Sequence, residues 1–280
     1  MSYEQVKNLK PTEFKRLCGV YPETFKNMIK VVSAEKVIQS KPGRPSKLSI
    51  EDQILMTLEY WREYRTYFHI GTSWGINEAT AYRIIKKVEN VLIKSGLFNL
   101  PGKKAVRSSN IDIEVVVVDV AEHEIERPKK KQKIYYSGKQ KHHTLKSQVL
   151  ANQKSREIIC TNHGKGKKHD FRLWKESQIG INKEIKCLAD KGYQGIQKIH
   201  ENSQVPYKKT KKKELNREQK QANRQLAKER IVVEHIHRCL KIFKILSSRY
   251  RNRRRRFGLR FNLIAGIYNY ERFGLNYGDR

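Results

Sequence analysis

Residues 115–119 read Val115-Val116-Val117-Val118-Asp119. Four consecutive β-branched residues specify a buried strand, and a carboxylate stands directly at its end. The arrangement recurs downstream, where Ile185-Lys186-Cys187-Leu188-Ala189 reads as a strand and Asp190 follows it. Packing gives no reason for an acid at either place, because a strand interior is apolar and an unpaired charge is costly to bury. The chain has only six aspartates, Asp52, Asp112, Asp119, Asp170, Asp190 and Asp279, so two at strand ends carry information. Carboxylates on neighbouring strands repel and are driven toward the protonated form unless a cation neutralises them. Mg2+, an oxygen-seeking ion held by one or two carboxylates with water and phosphate oxygens, is the natural partner.

Working outward, Ile134-Tyr135-Tyr136, Thr144 to Leu150 and Glu157 to Thr161 read as further short strands separated by Lys/Gly/Asn turns. A helix is expected at Phe171-Arg172-Leu173-Trp174. A long helical pattern begins near Glu218 and runs through Ile231, Val232, His235, Leu240, Phe243 and Leu246. The fold class is therefore mixed α/β. On the late helix, Arg230, Glu234 and Lys241 are spaced four and seven apart and line one face. Alone, such a triplet reads as a salt-bridged surface stripe; with two strand-end aspartates upstream, Glu234 becomes the candidate third acid.

Rival residues have simpler readings. Asp170 competes for the middle position, but it precedes a helix and suits an N-cap, where Asp is strongly preferred. Glu229 points away from the Arg230/Lys241 face, and Asp112 precedes the valine strand instead of ending it. His235 and His237 alternate along a helix and diverge, so they do not share an ion.

Ahead of residue 101 the periodicity is helical. From Leu48 to about Lys94 apolar residues recur at helical spacing, interrupted by Gly75 just before Ile76-Asn77-Glu78-Ala79-Thr80-Ala81-Tyr82-Arg83. A helix, a Gly-containing turn and a second helix with a polar start fit a helix-turn-helix, with Asn77, Thr80 and Arg83 on one face as DNA contacts; an ordinary helical bundle is the alternative. The basic linker Lys41 to Lys47 holds Gly43-Arg44-Pro45, whose Arg44 suits a narrow minor groove. The expected domains are an N-terminal helical segment with this linker (1–47), the helix-turn-helix domain (48–100), an α/β domain (101–272) and a tail (273–280).

Composition sets the partner class. Sixty Lys and Arg against 28 Asp and Glu give a formal charge of +32 over 280 residues, which calls for a polyanion. The runs Lys129 to Lys131, Lys165 to His169, Lys208 to Lys213 and Arg249 to Arg256 are expected phosphate contacts, with binding that weakens steeply as salt is added. Cys18, Cys160, Cys187 and Cys239 show neither CxxC pairing nor zinc-ligand spacing and are expected as reduced, buried thiols. The start lacks an apolar signal region and no apolar run is long enough to span a bilayer, so a cytoplasmic protein without membrane contact is expected.

Taken together these motifs resemble the DDE transposases of bacterial insertion sequences, in the IS-four and IS-five type groups. Their helix signature of Arg, three residues, Glu, six residues and Lys is matched by Arg230, Glu234 and Lys241; the family Tyr three residues before the Arg is Ala227 here. Further matches are the segment Val118 to Pro128, the block Tyr136-Ser137-Gly138-Lys139 with His143-Thr144-Leu145-Lys146, and Ala189 to Gly195. The resemblance implies an RNase H-like catalytic domain in which Asp119, Asp190 and Glu234 are the catalytic, metal-binding residues. It also implies two Mg2+ (or Mn2+) ions roughly 4 Å apart for in-line phosphoryl transfer. Lys241 would then contact a phosphate near the cut, and Arg230 would orient Glu234 or grip the DNA backbone. The implied partners are double-stranded DNA, as inverted ends and target, and further copies of the chain assembled on it at the bacterial nucleoid. A transposase-derived DNA-binding protein without catalysis is the alternative.

Overall fold

Capping residues divide the N-terminal third into short helices. The computed structural model describes residues 2–38, 46–108, 113–209 and 214–274; Arg44, Asp112 and residues 210–213 of the basic run lie outside them. The helices are α1 (Tyr3–Val6), α2 (Pro11–Cys18), α3 (Pro22–Ile38), α4 (Ile50–Glu63), α5 (Tyr67–Ser73) and α6 (Glu78–Lys94). Ser49, Thr66 and Asn77 each accept a backbone N–H at the start of α4, α5 and α6, which satisfies donors the helix itself leaves open. Gly75 takes the left-handed φ of 62° that the turn from α5 into α6 requires. The apolar stripes meet in a core that includes Ile54, Leu58, Trp61, Ile85 and Val88.

This helical unit is not continuous in sequence. Besides the residues up to Asn99 it takes Leu240–Ser248 and the segment from Leu259 onward, which the sequence reading had placed in the α/β domain. Buried charge ties these late segments to the helices. Arg260, 1% exposed, donates to Glu89, 0% exposed, at 2.6 Å, and the Trp61 indole donates to the same carboxylate oxygen at 3.0 Å. A second acid, Glu271, accepts from Lys15 at 2.7 Å and from the Tyr21 backbone N–H at 2.6 Å.

The second unit, Leu100–Cys239 with Arg249–Gly258, is built on one mixed sheet. Its strands are β1 (Val115–Glu124), β2 (Thr144–Asn152) and β3 (Ile158–Lys165), then after α7 (Asp170–Ser177) come β4 (Lys186–Leu188) and β5 (Ser203–Gln204). The order is β3-β2-β1-β4-β5; β1, β2 and β3 run antiparallel in sequence, while β4 pairs parallel to β1 and β5 parallel to β4. Strand alternation sends Val116 and Val118 to one face, against Trp174 of α7, and Val117 to the other, against Leu226 and Val233 of α8 (Arg217–Leu240). All three valines are 0% exposed, each contributing roughly 1.5–3 kcal/mol of burial. This is the mixed α/β, RNase H-like class.

Two expected elements differ. Ile134-Tyr135-Tyr136 does not form a strand: Gln132–Ile134 is a 3-10 turn entered through Lys131 at φ 55°, and Tyr136 makes only an isolated bridge to His143. The late helix stops at Leu240, because Phe243 adopts extended backbone (φ −81°, ψ 106°) before the short α9 (Lys244–Ser247). The last helix, α10, spans Phe257–Phe273. Cys18, Cys160 and Cys187 are buried, which pushes their thiols up to about 12, but Cys239 is exposed on the outer side of α8.

Candidate active site

Register places the first two acids side by side. Val117 on β1 pairs with Leu188 on the parallel β4, so two residues further on, Asp119 stands beside Asp190 on strands about 4.8 Å apart. Asp119 shares its face with Val117 and therefore looks toward α8. From that helix Arg230 reaches Asp119 Oδ1 at 3.2 Å, and His237 Nε2 lies 3.5 Å from Asp119 Oδ2. Arg230, Val233 and His237 fall on one stripe of α8; Val233 packs on the sheet while its neighbours one turn away hold the acid. Arg230 Nε and His237 Nε2 are buried without a hydrogen-bond partner.

Asp190 stands two residues past the end of β4 and caps the next turn, accepting the Gly192 N–H at 2.8 Å. Burial raises its carboxyl above the ordinary value, and the charge of Asp119 raises it further; the Gly192 N–H and Arg230 oppose the shift, and Asp170 adds to it. Tyr193, 0% exposed, donates to Gln148 at 3.3 Å, and its phenol is held neutral by burial and then by Asp119, Asp170 and Asp190.

Asp170 is not the N-cap that its sequence position suggested. His169 occupies that place and Asp170 is the first residue of α7. The Asp170 carboxylate accepts from Lys146 Nζ on β2, at 2.8 Å. Lys146 also lies 3.7 Å from Glu122, its cross-strand partner on β1. Neither contact is visible in sequence spacing, although the alternation of Thr144, Lys146 and Gln148 along β2 marks a polar inward face.

Glu234 is exposed on α8, four residues after Arg230 and three before His237. Among the described residues no three His, Cys, Asp or Glu side chains are gathered closely enough to hold a metal ion. The rival Glu229 is accounted for by Lys186 at 3.6 Å and Gln225 at 3.0 Å. Lys241 is exposed in the turn after α8 and belongs to the helical unit. In that unit Arg83 is exposed on α6, Thr80 is half-buried, and the Asn77 side chain caps the helix through the Ala79 N–H at 2.9 Å.

Comparison with known proteins gives the family. Residues 118–269 match the DDE superfamily endonuclease family, and residues 46–98 match the helix-turn-helix of DDE superfamily endonucleases. A probable transposase for insertion sequence element IS702 from Microchaete diplosiphon is 55% identical over 271 residues, covering 97% of this chain and 98% of that one. A putative transposase for insertion sequence element IS112 from Streptomyces albus G is 23% identical over 239 residues, covering 81% and 83%. A piggyBac transposase in a synaptic complex with hairpin DNA, 11% identical, aligns with a TM-score of 0.47 over 99% of this chain and 78% of that one. With more than half of its length matched to one family and nearly all of it to a close relative, the chain belongs to the DDE superfamily endonucleases, enzymes of the transposase class.

Proposed function

We propose that the protein cleaves and joins DNA at the ends of its own insertion sequence, with Asp119, Asp190 and Glu234 holding Mg2+ or Mn2+, two ions in the working site. The observation that carries this reading is the placement of Asp119 beside Asp190 on adjacent parallel strands, with the Asp190 carboxyl pushed up by burial and by its neighbour. The donors are all carboxylate oxygens, and Asp119 is met from the protein by Arg230, with His237 at 3.5 Å; an all-oxygen acidic set suits a hard divalent cation. Glu234 lies on the same helix stretch that holds Asp119 and would join them from the exposed side.

When bound, such cations activate a water or a DNA 3′-hydroxyl and neutralise charge on the phosphate. The protein's own residues orient and grip. Arg230 and His237 fix Asp119 on its α8 side, and the Gly192 N–H fixes Asp190. Lys241 contacts phosphate as a point charge. In the helical unit Thr80 and Arg83 face base edges from α6, Asn77 sets the start of that helix, and Arg44 enters the minor groove. In the α/β unit, Lys129 to Lys131 are exposed, and the loop Arg249 to Arg256 carries Arg253, Arg254 and Arg256 with left-handed backbone at φ 47°, 67° and 60°. These surfaces supply phosphate contacts for two ends and a target, engaged by more than one copy of the chain. No helix of the described residues is long and apolar enough to cross a membrane, and we place the protein in the bacterial cytoplasm, on the nucleoid.

The test is nicking of end-containing duplex DNA with Mg2+ by the parent, Asp119→Ala, Asp190→Ala and Glu234→Ala. The parent should nick and each variant should bind without nicking. Equal cutting by all four would remove the assigned triad; binding by all four with cutting by none would leave a DNA-binding module without catalysis.

A further inference from the structure

The outer strand of the sheet, β5, and the early turns of α8 enclose a cavity of about 310 Å3. Leu226 of α8, 7% exposed, and Val205 give it an apolar lining, while Gln197 and Gln204 bring two carboxamides to its wall. Neither carboxamide is bonded to another group among the described residues. Each therefore keeps its donors and its acceptor open for a ligand.

Tyr207 also lines the cavity, and its main chain is held to α8 from both sides. Its N–H donates to Asn223 Oδ1 at 2.8 Å, and Asn223 Nδ2 donates to its carbonyl at 3.1 Å. The ring itself is 53% exposed and packs on no other ring or cation among the described residues. A single exposed aromatic is ordinary; this one is fixed beside a cavity with open amides. Positive charge surrounds it. Lys198 follows Gln197, Lys208 follows Tyr207, and Lys220 and Arg224 lie within a turn of Asn223 on α8. All four are exposed, and none is in an ion pair among the described residues.

These groups match the parts of one nucleotide. An aromatic ring takes the face of a base, amides take its hydrogen-bonding edge, and ammonium or guanidinium groups take its phosphate. The volume lies at the lower end of the roughly 300–1,000 Å3 of small-ligand pockets, enough for one planar ring and too little for a duplex. The cavity is also next to the acids. The Gln204 carbonyl accepts the N–H of Ala189, the residue before Asp190, at 2.9 Å. Leu226 packs with Leu188 and stands one helical turn, about 5.4 Å, before Arg230.

We propose that this cavity receives one unpaired base of the DNA strand beside the cut, stacked on Tyr207 and hydrogen-bonded by Gln197 and Gln204, with the four cations on the adjoining phosphates. The inference rests on the DNA-cutting reading above. It makes single-stranded DNA a ligand of the α/β unit in its own right, apart from the duplex contacts assigned to the helix-turn-helix.

The experiment is fluorescence anisotropy of the full chain in EDTA with labelled oligothymidine and with an abasic oligomer of the same length, which keeps the phosphates and lacks the bases. The parent should bind oligothymidine about tenfold or more tightly than the abasic oligomer, the scale of one base stacked on an aromatic side chain. Tyr207→Ala should erase most of that preference and Tyr207→Phe should keep it; Gln197→Ala with Gln204→Ala should reduce it. A parent that binds the two oligomers alike overturns the inference, as does a Tyr207→Ala protein that keeps the preference or a Tyr207→Phe protein that loses it. An equal loss by Tyr207→Ala on end-containing duplex assigns the surface to the DNA backbone alone and also overturns it. Should Tyr207→Ala fail to fold, the double glutamine variant decides by the same comparison. Nicking with Mg2+ separates the two levels. A parent that nicks end DNA without any base preference removes only the pocket, whereas base preference in a parent that does not nick removes the cutting reading and leaves the cavity as a single-strand site.

Discussion

Arg230 holds Asp119 from the neighbouring helix, one guanidinium nitrogen lying 3.2 Å from Asp119 Oδ1 with both side chains largely buried. In the cation-free protein this arginine supplies the countercharge that a bound ion would otherwise supply.

Arg230→Met should therefore cost about 1–3 kcal/mol of stability without divalent cation, the penalty of leaving a mostly buried carboxylate without its partner. Saturating Mg2+ should recover most of the loss. Urea unfolding with and without Mg2+ measures both, and an equal loss in the two conditions would show that Arg230 and the cation do not serve the same charge.

Asp190 gives a pH signature. Its carboxyl is raised above 3.8 in the folded state, first by burial and then by Asp119, so the folded protein holds that proton more tightly than the unfolded chain. The resulting stabilisation is fully present below the unfolded value and is lost as pH rises through the folded one. Above both, the ionised group costs stability. Asp190→Asn, which keeps an acceptor for the Gly192 N–H, should melt above the parent at pH 7 without cation, and the gap should close toward about pH 3. A lower melting temperature at pH 7 would contradict the assignment.

The Glu89–Arg260 pair is a separate stability element. Arg260→Met leaves Glu89, 0% exposed, without its cation and should cost about 3–5 kcal/mol in guanidinium unfolding, independently of divalent ions.

Asn77 and Arg83 should separate in the helix-turn-helix. Asn77→Ala removes the cap on α6 and should cost about 1 kcal/mol of stability along with DNA affinity. Arg83→Ala, at an exposed position, should leave the melting temperature unchanged and weaken binding to the element's ends by about 1–3 kcal/mol. Fluorescence anisotropy with end DNA and thermal unfolding distinguish the two; an Arg83→Ala protein that binds like the parent would place base reading elsewhere.

The sheet and its two aspartates were legible in the sequence because both depend on local information, a β-branched run and a charge where packing has no use for one; but β1 runs on to Glu124, so Asp119 sits within the strand, paired with Val149, and not at the strand end that the valine run suggested. Their adjacency followed once β4 paired parallel to β1. The partnership of Lys146 with Asp170 was not legible. It depends on the register of β2 against β1 and on where α7 begins, and Asp at a helix start offered a simpler local explanation. The distance of His237 from Asp119 appears only when α8 lies on the sheet. Glu234 was read from the helix signature and remains at an exposed position of that helix. The discontinuous helical unit was hidden for the same reason as Lys146: Arg260 and Glu89 are 171 residues apart, and their bond leaves no trace in periodicity.

That last pairing bears on the order in which the protein is made. The helix-turn-helix is translated early, yet the unit containing it closes only when Arg260 and Glu271, near the far end of the chain, leave the ribosome. A nascent chain or a prematurely stopped product exposes Glu89 without its countercharge and Tyr21 without its acceptor. Products that stop short of Arg260 are thus expected to hold the helix-turn-helix less firmly than the finished chain does.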